Sequence, residues 1–182
     1  MNQQPPSTVD LIMLGLLFER PMSAYALARL IEERHANKLV KISTPAVYKS
    51  CKRLFAEGFL SGRITKGSEQ PEKTVYTLSK KGKERFIFLM TYFSSRLEPF
   101  FLDFNVFLYH IEKLNKKDGL QMLENLHEEL SKLKAWIIQH EKEDCAKFSF
   151  ATKAIVKQYR MVITTLVAWC DETLRDYKVI KK

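Results

Sequence analysis

Ile42-Ser-Thr-Pro-Ala-Val-Tyr-Lys-Ser-Cys-Lys-Arg-Leu-Phe-Ala-Glu-Gly-Phe-Leu60 decides the fold. Thr44-Pro45 places an N-capping hydroxyl before a proline at the first helical position, a strong start signal. The predicted helix runs to about Glu57, with Val47, Cys51 and Leu54 on one face. Gly58 stands where a left-handed C-cap belongs. Beyond it, Phe59–Ile64 and Thr74–Leu78 read as two strands joined by the polar, turn-rich tip Thr65-Lys-Gly-Ser-Glu-Gln-Pro-Glu-Lys73. Upstream, Val9–Phe18 is a compact apolar stretch started by Ser7 or Thr8 and ended by Glu19-Arg-Pro21. Ser23 caps a second helix, Ala24–Arg34, in which Leu27, Leu30 and Ile31 recur at helical spacing. Ser79 caps a long helical region after the second strand. Three short helices followed by a β-hairpin is the plan of a winged helix-turn-helix, whose third helix enters the DNA major groove.

The charge of the chain has the same address. Its 182 residues carry 30 Lys+Arg against 21 Asp+Glu, a formal net charge of +9. Residues 1–92 hold +7 of this and residues 93–182 only +2, and the 48 positions Lys38–Arg85 alone hold +8. A basic half joined to a nearly balanced one suggests a polyanion-binding module and a second module with another task. The expected division is 1–88 for the winged module and 89–182 for an α-helical dimerisation and effector-binding domain. A content of 46% hydrophobic and 12% aromatic residues excludes a disordered basic tail. The N-terminal residues have no basic n-region or cleavage site, and the apolar run Leu11–Phe18 is far short of the ~18–20 residues that cross a membrane. Cys51, Cys145 and Cys170 fit neither a disulfide framework nor a zinc site. Together these readings predict a cytoplasmic protein with no membrane partner.

On the third helix the face opposite the apolar stripe presents Ala46, Lys49, Lys52 and Arg53, with Tyr48 at its edge. Ser43, Thr44 and Ala46 are small, so backbone can approach the groove, and the helix N-terminus favours phosphate. Lys49, Lys52 and Arg53 are suited to neutralising phosphates, and Tyr48 to donating its hydroxyl to phosphate or stacking on sugar. Arg63 leads into the hairpin tip, which Lys66 and Lys73 flank.

Ile42-Ser-Thr-Pro-Ala-Val-Tyr48, then Lys52-Arg-Leu54 and Glu57-Gly-Phe-Leu60, resembles the recognition-helix motif of PadR-type transcriptional regulators, usually I/L-S-x-G-x-L-Y, K-R-L and E-G-L-I. Ser23-Ala-Tyr25 is similar to their second-helix start, and Tyr76-Thr-Leu-Ser79 with Gly82 to the close of their wing. The spacings agree across Val9–Phe86. The resemblance implies that Ser23 and Tyr25 join the DNA-binding set, and that a homodimer binds an inverted-repeat operator in double-stranded DNA, often as a repressor. Two departures stand out. Pro45-Ala46 replaces a small-residue or glycine step, and Gly67-Ser68-Glu69-Gln70 replaces a more basic wing. The third helix is therefore expected to carry more of the DNA contact than the hairpin. The length of the C-terminal half resembles the phenolic-acid-responsive and AphA-like members.

That half is crowded with aromatics from Phe86 to Tyr109, and Pro99 kinks or divides the stretch. After the break Asn115-Lys-Lys-Asp118, a helix to about Glu143 places Leu123, Leu126, Leu130, Leu133 and Ile137 on a heptad-like seam. Lys153–Tyr177 repeats the device with Ile155, Tyr159, Val162, Leu166, Trp169 and Thr173. Trp136, Ile138, Val156, Ile163, Val167 and Cys170 lie off these seams. One neighbour does not bury two stripes, so either a homodimer or a monomeric bundle wraps them. Phe93, Phe104, Trp136 and Trp169 are either core or the lining of a site for a small aromatic or phenolic effector. Catalytic and cofactor signatures (HExxH, CxxC, GxGxxG, GxSxG or a P-loop) are absent, so neither an enzyme, a metal nor a cofactor is expected. Two alternatives stay open: a winged-helix protein–protein adaptor, and a MarR-type drug-responsive regulator. The latter normally places dimerisation helices on both sides of the winged module.

Overall fold

The β-hairpin forms with its strands one residue later or longer than expected, β2 at Leu60–Thr65 and β3 at Lys73–Leu78. Their antiparallel register pairs Leu60 with Leu78 and Thr65 with Lys73. The computed structural model describes residues 5–34, 42–65, 73–97, 101–144 and 149–180. Lys66, Pro99 and Cys145 lie outside the described residues. Two compact units are formed, residues 1–99 and 100–182. Residue 88 lies in the middle of a helix of the first unit, because that helix continues to pack Leu89 and Phe93 on the first unit's core.

In the first unit, α1 (Thr8–Glu19), α2 (Ala24–Glu33) and α3 (Thr44–Ala56) precede the hairpin, and α4 (Lys80–Ser95) follows it. Local chemistry fixes most of these ends. Ser7, Ser23 and Ser79 cap α1, α2 and α4, accepting from the amides of Asp10, Ala26 and Gly82 at 3.3, 3.2 and 3.0 Å. The cap of α3 is Ser43 rather than Thr44, so Pro45 sits one position deeper in the first turn. Gly58 takes a φ of 77° and closes α3. The Phe59 amide donates to Leu54 O at 2.9 Å and the Gly58 amide to Phe55 O at 3.0 Å, the paired bonds of a Schellman ending. A third strand, β1 (Met22–Ser23), was not expected; it pairs Met22 with Tyr76 and gives the sheet order β1-β3-β2.

Met13, Leu14, Leu27, Val47, Cys51, Leu54 and Leu89 are fully buried and join the three helices, the sheet and α4 around one core. Burying each large aliphatic side chain contributes about 1.5–3 kcal/mol. Gly82 is required by close approach, since a Cβ there would stand 2.1 Å from the Phe59 carbonyl oxygen.

In the second unit, a short helix α5 (Asn105–His110) and a 3-10 turn (Ile111–Lys113) precede α6 (Lys116–Asp144) and α7 (Phe150–Val179). Of the two expected caps for α6, Asn115 serves, its Oδ1 accepting from the Asp118 amide at 2.9 Å. The packed face of α7 corrects the expected seam. Val156, Ile163, Val167 and Cys170 are buried against Leu130 and Ile137, whereas Tyr159 and Val162 are 46% and 45% exposed. On α6, Leu133 is likewise exposed while Leu123, Leu130 and Ile137 are buried. The hairpin is therefore closed by the expected seam of α6 and by the stripe of α7 expected to lie off its seam.

Candidate nucleic-acid interface

The exposed face of α3 is built by subtraction. Val47, Ser50, Cys51 and Leu54 turn inward, which leaves Ser43, Thr44, Pro45, Tyr48, Lys49 and Lys52 exposed on the other side. Tyr48 is 40% exposed. Ala46 is half-buried on the shoulder of the helix. The Ser43 hydroxyl makes no capping hydrogen bond, and Thr44 Oγ1 donates to Glu32 Oε1 at 3.3 Å, joining the start of α3 to the end of α2. This outward-facing helix start has the partial positive charge that attracts phosphate oxygens. Lys49 and Lys52 stand one turn apart beyond it.

Arg53 is half-buried and turns its guanidinium inward from that face, contrary to expectation. Its guanidinium turns back to Asp10 of α1 and also donates through Nη1 to Glu57 Oε2 at 3.2 Å. The Asp10 side chain is 3% exposed, that of Arg53 29% and that of Glu57 22%. Burial pushes the Asp10 carboxyl above its ordinary range, and the neighbouring Arg53 and Arg85 draw it partly back. Sequence reasoning missed Asp10 and Glu57. The signal was present, because Asp10 is the one charged residue within the apolar run Val9–Phe18.

Of the remaining expected residues, Tyr25 is 66% exposed on the first turn of α2, and Ser23 is half-buried with its oxygen engaged as the α2 cap. Arg63 and Lys73 are exposed on β2 and β3, and Lys66 lies outside the described residues. Phe55 was also missed; it is 47% exposed and meets Tyr76 edge-on at 6.0 Å, under the exposed side of the hairpin. Cys51 is a core thiol whose pKa burial pushes up to about 12.

The aromatics proposed for an effector are divided between the two units. Phe93 packs on the core of the first unit, edge-on to Tyr92 at 5.3 Å. In the second unit Phe104 stacks on Trp169 at 5.7 Å, and Trp136, 52% exposed, stacks on His140 at 5.3 Å. Among the described residues no group of three or more His, Cys, Asp or Glu is placed to hold a metal ion. Among them, no helix is long and apolar enough to cross a membrane.

This arrangement defines a winged helix-turn-helix protein with a basic, tyrosine-edged third helix. Residues 13–87 match the model of the transcriptional regulator PadR-like family. The family is one of regulators rather than enzymes. No curated protein matches the sequence. Among solved structures, the chain is similar to Bacillus subtilis PadR in complex with operator DNA (19% identity, 96% of this chain and 99% of that one, TM-score 0.78). It is also similar to the same protein in complex with p-coumaric acid (18% identity, 94% and 99%, TM-score 0.76). A third neighbour is the Vibrio cholerae virulence activator AphA (17% identity, 96% and 100%, TM-score 0.68). At these identities the likeness establishes a shared fold over nearly the whole chain.

Proposed function

We propose that the protein is a homodimeric transcriptional regulator that places α3 of each subunit in one major-groove half-site of an inverted-repeat operator. The observation that carries this reading is the exposed face of α3, where Tyr48, Lys49 and Lys52 stand beyond an outward-facing helix start. The half-sites lie about 34 Å apart or at a multiple of that spacing. Exposed Arg63 and Lys73 add backbone contacts from the hairpin.

The dimer rests on the second unit. Leu133, Trp136, Tyr159 and Val162 remain 45–52% exposed after α6 and α7 have packed together. Two long helices with a second apolar stripe of this kind are suited to a twofold interface. Repression is the mode favoured, because a dimer seated on an operator blocks access to it. A small aromatic or phenolic acid releases the operator; the neighbour bound to p-coumaric acid supports that class, and the stacked Phe104–Trp169 pair supplies an aromatic surface for it.

Selection of bound fragments from random duplex DNA tests the reading directly. The expected result is an enriched inverted repeat bound by a dimer, with an affinity that falls steeply with salt. Weak binding, indifferent to sequence and salt, would overturn it in favour of a protein–protein adaptor.

A further inference from the structure

We propose that Arg53 is a positioning residue of the DNA-reading helix, held between Asp10 and Glu57 so that it fixes the rotation of α3 about its own axis. This role rests on the reading of α3 as the DNA-binding helix. The apolar stripe Val47, Cys51 and Leu54 sets which face of α3 meets the core, and a directional contact narrows the rotation that this non-directional burial allows. The guanidinium is directional, because its planar fork presents donors at fixed angles. One arm, Nη2, reaches Asp10 on α1, 43 residues away in sequence, and the other, Nη1, reaches Glu57 at the end of α3.

The magnitude of rotation that matters is small. At the ~5–6 Å radius of side chains on a helix, a turn of about 10° moves a side-chain tip by about 1 Å. That displacement exceeds the tolerance of a hydrogen bond. Lys52 precedes Arg53 in the chain and Lys49 lies one turn before it, so whatever holds Arg53 also aims both lysines and Tyr48. With Asp10 almost fully covered, the contact is shielded from the salt screening that weakens exposed pairs.

The sign of a charge change separates this role from a direct phosphate contact. Asp10→Asn and Glu57→Gln each remove a negative charge beside Arg53. If Arg53 serves as a phosphate ligand, either change frees it, tightens DNA binding and steepens the salt dependence. If Arg53 positions α3, either change weakens operator binding although the protein has become more basic. The experiment measures affinity of the full-length wild type, Asp10→Asn, Glu57→Gln, Arg53→Gln and the Asp10→Asn/Arg53→Gln double variant. Each binds its selected operator and an unrelated duplex across a salt series, at a temperature where circular dichroism shows every variant folded. The expected result for Asp10→Asn is an operator affinity lower by at least about tenfold, the loss one spoiled base contact produces. Affinity for the unrelated duplex and the salt slope stay unchanged, and the double variant is no worse than the weaker single one. Tighter binding with a steeper slope, or an unchanged ratio of operator to unrelated affinity, would overturn the proposal. Should Asp10→Asn fail to fold, Glu57→Gln, at the less buried end of the clamp, decides by the same sign. A wild type that binds no operator overturns the DNA reading and this role together, whereas the other adverse results overturn the positioning role alone.

Discussion

Replacing Lys49 and Lys52 by glutamine removes two cations per subunit from the exposed face of α3 while keeping side-chain length. Each phosphate neutralised contributes about 0.9 to the slope of log affinity against log salt, so four lost contacts in a dimer reduce the slope by about 3.6. Between 50 and 200 mM salt the wild type should therefore lose about 150-fold more affinity than the double variant. Fluorescence anisotropy of a labelled operator duplex, titrated at four or five salt concentrations, reads the slope directly. Both lysines are exposed, and exposed substitutions change stability by no more than about 0.5 kcal/mol, so the melting temperature serves as the control for folding. Lys157→Gln on α7, also exposed, removes the same formal charge from the second unit and should leave the slope unchanged. A double variant with the wild-type slope, or a Lys157→Gln variant that loses as much, would refute the assignment of phosphate contacts to α3.

Two further predictions concern the fold. Gly119→Ala should destabilise the second unit, because a Cβ there stands 2.2 Å from the Tyr177 hydroxyl, which is buried with no hydrogen-bond partner among the described residues. Tyr177→Phe should cost little or stabilise by about 1 kcal/mol and partly rescue Gly119→Ala; additive losses in a denaturation double-mutant cycle would contradict this. The second concerns Asp10, whose carboxyl is raised above 3.8 by burial. The folded state then binds this proton more tightly than the unfolded chain, so in the window just above 3.8 this group makes stability rise as pH falls. Melting temperatures across the acid range should accordingly fall more steeply with acid in Asp10→Asn than in the wild type; parallel curves would show that the group titrates normally.

Much of the first unit was legible because its signals are local. Serine caps, Gly58 and the alternating strands each act within a few residues, and they placed α1 to α4 and the hairpin to within a few positions. The shift from Thr44 to Ser43 at the start of α3 is the scale of error such signals permit. The strand Met22–Ser23 was invisible, since two residues carry no alternation and its pairing partner Tyr76 is far along the chain. The inward turn of the Arg53 side chain was hidden for a related reason. A charged residue on a helix shoulder is assigned to solvent by default, and only its long-range partner Asp10 reverses that. In α7 both apolar stripes satisfy helical spacing, so periodicity showed that two faces need covering but not which one α6 covers. The effector residues followed from aromatic content and the family resemblance, neither of which encodes the pairing of Phe104 with Trp169 or of Trp136 with His140.

The close approach at Gly82 has a mechanical consequence. Ser79 Oγ donates within 2.8–2.9 Å of the Gly58 and Phe59 carbonyls, the Ser79 amide donates to Phe59 O at 3.1 Å, and Gly82 leaves no room between helix and strand. The first turn of α4 is thus riveted to the chain immediately after α3, and it cannot pivot there without carrying Phe59 along. A force applied farther along α4 would reach the end of α3 with almost no slack. A bulkier residue at position 82 would act as a wedge at that joint, altering the pitch of α3 without touching a single side chain on its exposed face.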